Sequence, residues 1–85
     1  MTMANKIIHL IHPTNNSDIE VEIDESLTVS QVCSELIAAN LLNNGKEYYL
    51  LTYFYEGRNR QHRIFYGTDS FENIENDAVI RILIR

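Results

Sequence analysis

A single cysteine among 85 residues rules out an internal disulfide, so the fold has to be held by a packed core. No apolar run approaches the ~20 residues that a bilayer-spanning helix needs. No leader of basic, apolar and small residues opens the sequence either. These absences lead to the expectation of a cytoplasmic protein with no membrane insertion. Positive charge is scarce: 7 Lys and Arg stand against 12 Asp and Glu, for a net charge of −5. Phosphate contacts need local positive charge, so nucleic acid is not an expected partner.

Chemical signatures are missing as well. No Cys-x-x-Cys, His-Glu-x-x-His, Gly-rich phosphate loop or Gly-x-Ser-x-Gly occurs. His9 and His12, three apart on a strand, face opposite sides and are no metal pair, and His62 stands alone among arginines. Glu20, Glu22 and Asp24 could in principle ligate a cation, but as alternate strand residues they read as a solvated face. Cys33 has no base or cation near it in sequence to lower its pKa, so it reads as a small buried apolar group. No catalytic residue, metal or cofactor is assigned, and the chain is expected not to be an enzyme.

What is present is a well-patterned globular chain. Its apolar share of 45% and charged share of 22% suit one domain over 6–85, with a loose end at 1–5. Ile19, Val21 and Ile23 alternate with Glu20, Glu22 and Asp24, as on a strand with one wetted face. At Thr28 the period changes. Val29, Val32, Cys33, Leu36 and Ile37 form one helical stripe, with Thr28 and Gln31 spaced as a capping box. A long helix over about 29–41 follows, ended by Asn43, Asn44 and Gly45.

Strands are expected on both sides of that helix. Lys6 to His12 is apolar on both faces, so either Ile8 and Leu10 or Ile7 and Ile11 can face the core. Pro13 and the polar residues 14–18 turn the chain into the second strand. Tyr48 to Tyr55 reads as a third strand, taken as a sheet edge. The polar tip Glu56 to Gln61 leads to a short strand, His62 to Tyr66, then to a turn at 67–70. Phe71 and Ile74 suit one helical turn against the core. Val79 to Arg85 closes the chain, with Ile80, Ile82 and Ile84 on one side and Arg81, Leu83 and Arg85 on the other. The first and last strands need the same helix to cover them, which places them side by side and parallel in a two-layer α+β domain.

This arrangement resembles the ubiquitin superfamily, the β-grasp fold. Asp24 to Leu36 is similar, without a gap, to ubiquitin's second strand end and first helix, and Ile74 to Arg85 to its late short helix and last strand. The resemblance implies a mixed sheet of four to five strands covered by the helix. It also places Leu83 at the exposed valine of ubiquitin's recognition patch. Ubiquitin and the related sulfur carriers end in Gly-Gly, whereas this sequence has no glycine after Gly67. The chain is therefore more similar to small bacterial ubiquitin-like proteins of the YukD type, which accompany type VII secretion. A non-catalytic module that binds a protein is the expected function, in the setting of such a secretion system. A modifier or carrier, or an accessory subunit of a multicomponent enzyme, is the alternative.

Charge is also distributed unevenly. Residues 1–55 hold two lysines against seven carboxylates, while all five arginines lie beyond them among five carboxylates. Arg58, Arg60, Arg63, Arg81 and Arg85, with Leu83, form the candidate protein-binding cluster. The plain alternative is a wetted sheet face beside an arginine-rich loop.

Overall fold

The computed structural model describes residues 5–85, so all but Asn5 of the expected loose end at 1–5 lies outside the described residues. Six elements follow in order: β1 (Asn5–Ile11), β2 (Asp18–Asp24), α1 (Val29–Ala38), β3 (Tyr48–Glu56), β4 (Asn59–Phe65) and β5 (Val79–Ile84). The strands form one mixed five-stranded sheet in the order β2-β1-β5-β3-β4. β1 and β5 are parallel, as expected, and the other neighbours are antiparallel. The class is α+β, with one helix packed on one sheet face.

The register of β1 is settled in favour of Ile8 and Leu10, both fully buried. Leu10 lies opposite Ile19 on one side and Ile80 on the other, so three apolar side chains share the covered face. Ile80, Ile82, Leu50 and Phe71 complete the most enclosed part of the core. Each such side chain contributes about 1.5–3 kcal/mol on burial. Ile7 and Ile11 are left on the uncovered face. Ile84, expected to point inward with Ile80 and Ile82, is 40% exposed because it lies at the strand's end.

The helix buries Val29, Val32, Cys33 and Leu36 of the expected stripe and leaves Ile37, its fifth member, half-buried. Its start is a true capping box: Gln31 N–H donates to Thr28 Oγ1 at 3.3 Å, and Thr28 N–H donates to Gln31 Oε1 at 2.8 Å. The next orphan donors find carbonyls in the 67–69 turn, Val29 N–H to Asp69 and Ser30 N–H to Gly67, each at 3.0 Å. A Cβ at Gly67 would lie 2.5 Å from Ser30 Oγ, so a larger residue there would turn that hydroxyl aside. The expected long helix over 29–41 is corrected to ten residues ending at Ala38. Asn40 takes a left-handed φ of 62°. Asn40 N–H then reaches Ile37 C=O at 3.0 Å and Leu41 N–H reaches Leu36 C=O at 2.9 Å, a Schellman closure. Leu42 turns back into the core.

Phe71 and Ile74 are both buried, but they span a hydrogen-bonded turn rather than a helical one, with Ile74 N–H donating to Phe71 C=O at 3.1 Å. Lys6 holds this turn in place. Its ammonium donates to the carbonyls of Phe71, Glu72 and Ile74 at 3.0, 2.8 and 2.6 Å and lies 3.1 Å from Glu25 Oε2. On the helix side of the sheet, His12 plays a comparable role. Its Nε2 donates to Leu41 C=O at 2.9 Å while Nδ1 accepts from Thr14 N–H at 3.2 Å, tying the first hairpin loop to the chain after α1.

Candidate protein-docking face

α1 covers one side of the sheet, and no described element covers the other. The strand registers place the uncovered side chains in rows. His9 lies across from Glu20 on β2 and Val79 on β5. One step along, Ile11 lies across from Asp18 and Arg81, and Arg81 in turn from Leu51, which faces Ile64. Leu83 lies across from Tyr49, whose ring stacks on Tyr66 with centroids 6.2 Å apart. The Ile11 row thus runs from a carboxylate on β2, past Ile11, Arg81 and Leu51, to Ile64 on β4.

Polar contacts fix parts of this face. His9 sits among three carboxylates, 3.1 Å from Asp18, 3.9 Å from Glu20 and 4.0 Å from Asp77. Arg81 reaches Asn16 Oδ1 at 3.4 Å and is otherwise exposed. Val79 beside it is 60% exposed, and Leu83 is half-buried. An apolar strip next to an exposed guanidinium, which has no carboxylate partner among the described residues, can dock against another protein.

Sequence reasoning places Arg81 and Leu83 together, and the structure agrees. The rest of the expected cluster is dispersed. Arg85 follows the end of β5 and lies 3.9 Å from Glu47. The expected loop over 56–61 is instead a hairpin turn of Gly57 and Arg58, because Glu56 already pairs with Asn59. Gly57 makes the tight turn possible with a φ of 64°. Arg60 and Arg63 are therefore strand residues with opposite orientations. Arg60, on the uncovered side, stacks over the Tyr53 ring at 4.0 Å from its centroid. Arg63 is on the helix side, over Phe54 and Phe65 at 5.5 and 5.9 Å. An odd separation along a strand separates the two by faces.

β3 is not a sheet edge, as expected from its sequence, but lies between β5 and β4. β5 pairs only with Tyr48 to Thr52, so the distal part of the β3–β4 hairpin overhangs it. All residues 53–64 are exposed. Between this overhang and residues 73–79 runs a groove of about 500 Å³, floored by Phe54, Phe65, Ile74 and Ala78, with Arg63 and Glu75 also in its lining. The overhang and the groove both escaped sequence reading. The only signal available was the aromatic run Tyr53-Phe54-Tyr55, which exceeds what one covered face can use.

Cys33 is buried, and that burial pushes its thiol pKa above the usual range, the reverse of what a nucleophile needs. Among the described residues, no three His, Cys, Asp or Glu side chains are grouped to hold a metal ion, and no helix is long and apolar enough to cross a membrane. Compared with known proteins, the chain matches no family model and no curated protein, which leaves its own geometry to carry the functional reading.

Proposed function

We propose that this chain is a ubiquitin-like protein-interaction module of β-grasp type that works without catalysis, docking a partner protein on the uncovered face of its sheet. The observation that carries the reading is the strip Val79, Arg81 and Leu83 on β5, continued sideways by Leu51 and Tyr49. No described element covers Val79, Leu83, Leu51 and Tyr49 on this face, because α1 packs on the opposite side, so an apolar strip beside Arg81 is left for a partner. The order of the sheet and the parallel pairing of β1 with β5 are compatible with the β-grasp resemblance. The YukD-type resemblance extends the proposal to an accessory role in a bacterial secretion system.

The test compares wild type with Leu83→Asp and Arg81→Glu in affinity capture from native lysate, with each variant first shown to melt like wild type. Since Leu83 is only half-buried, Leu83→Asp is expected to fold. Both variants should lose a protein that wild type retains, because apolar and arginine anchors near the centre of a patch carry most binding energy. Equal recovery by all three proteins would remove this face from consideration.

A further inference from the structure

The sheet has two free edges, and they carry opposite charge. β2 forms one edge and β4 the other. Both strands are seven residues long. On β2, Asp18, Glu20, Glu22 and Asp24 all point to the uncovered face, by their register with Asn5, Ile7, His9 and Ile11. On and beside β4 stand Arg58, Arg60 and Arg63. Among the described residues none of these three has a carboxylate within the 4.0 Å of an ion pair. Nor do the described residues provide a backbone hydrogen bond to the outer side of either strand, apart from Asp24 C=O accepting from Leu27 N–H.

Charged side chains on an edge strand ordinarily keep copies of a protein apart, because like charges repel when two edges meet. That protection fails when one edge is acidic and the other basic. Strand direction favours the match as well. β2 is antiparallel to β1, β1 parallel to β5, and β5 and β4 both antiparallel to β3. β4 therefore runs opposite to β2, and a second copy in the same orientation would lay its β2 antiparallel to the first copy's β4, with like faces aligned. Carrying the register across the sheet, Glu22 shares a row with Ile7 and Arg60 with Tyr55 at the same end. Continuing that row into the next copy brings Arg60 opposite Glu22 on the uncovered face. Opposite charges directly across antiparallel strands are favourable.

We infer that copies of this chain associate head to tail, β4 of one pairing with β2 of the next, through backbone hydrogen bonds selected by the basic and acidic edges. Such a contact uses different surfaces on the two copies, so it extends rather than closing as a two-fold dimer. It uses neither Leu83 nor Arg81 and stands or falls separately from docking on the uncovered face.

Sedimentation velocity across a concentration series tests it, with wild type, Arg58→Glu/Arg60→Glu and Glu20→Lys/Glu22→Lys. All four positions are exposed, and losing the Arg60 stack on Tyr53 touches only the overhanging hairpin tip, so both variants should keep the core's wild-type melt. Wild type at low salt should grow past dimer as concentration rises, with association weakened at least about tenfold at 0.5 M salt by screening. Each variant alone should remain monomeric. An equimolar mixture of the two should recover growth past dimer, since the acidic β2 of the first variant meets the intact basic β4 of the second, and the two reversed edges, acidic β4 and lysine-bearing β2, complement each other in turn. A wild type that stays monomeric to about 1 mM, a closed dimer, or variants that assemble like wild type would each overturn the inference.

Discussion

The β1–β2 hairpin buries Ile8, Leu10 and Ile23 beneath α1, whereas the distal half of the β3–β4 hairpin, residues 53–64, has no buried residue, its best-covered apolar side chains Phe54 and Ile64 being 38% exposed. Both are antiparallel ribbons with one strand at a sheet edge. The first has its apolar side chains on one face and its carboxylates on the other, so a single helix satisfies it. The second carries Tyr53 and Tyr55 on one face and Phe54 on the other, past the point where β5 can support either. A two-stranded ribbon without a covered face is marginal by itself. What holds this one is local: the Gly57 turn, the cross-strand pairs, and the Arg60 guanidinium on Tyr53. The comparison separates side chains that exist to fold the chain from side chains that folding leaves unexplained.

The sharpest way to break that distinction is to truncate one residue in each hairpin. Ile8→Ala should cost about 2–5 kcal/mol, because a fully enclosed side chain leaves a cavity, while Tyr55→Ser, at a position 73% exposed, should stay within about 0.5 kcal/mol. Denaturant melts of both variants decide it, and comparable losses would mean that the overhang contributes to the core after all. Lys6→Met comes next. It deprives three carbonyls of the 71–74 turn of a charged donor and should cost about 1–3 kcal/mol by the same measurement. A neutral result would show water replacing the ammonium without loss.

Thr28→Ala, which removes one half of the capping box, should cost on the order of 1 kcal/mol, read as a lower thermal midpoint. The smallest effect is a pH dependence. Burial raises the Cys33 pKa in the folded chain. The unfolded thiol therefore ionises first, and this group's contribution to stability is complete below about pH 8.5 and is lost as pH rises above it. A Cys33→Ala variant should show a flatter stability profile between pH 8 and 10, and native alkylation at neutral pH should be slow. Fast alkylation would mean that the α1 stripe opens readily.

Much of this architecture was legible because the code for it is local. Alternation in Asp18–Asp24 and the stripe from Val29 to Leu36 each report which face is covered, and Thr28 with Gln31 marks the helix start within four residues. The helix end was harder. Asn40 closes it through a left-handed turn, but Asn43, Asn44 and Gly45 offer the same chemistry just downstream, and only the return of Leu42 to the core selects among them.

Of the candidate site, Arg81 and Leu83 were readable as one strand face, since period two fixes their direction. The separation of Arg60 from Arg63 was not, because it depended on where β4 begins. Still less could the sequence say that β3 lies inside the sheet, that β5 stops short of Tyr53, or that an acidic and a basic strand end up as the two free edges. Sequence by itself determined the elements, the capped helix and the covered faces, because residues a few positions apart set them. Only the tertiary structure decided strand order, overhang and edge charge, because these follow from pairing between residues up to 70 positions apart, as His9 with Val79, whose register no local pattern contains.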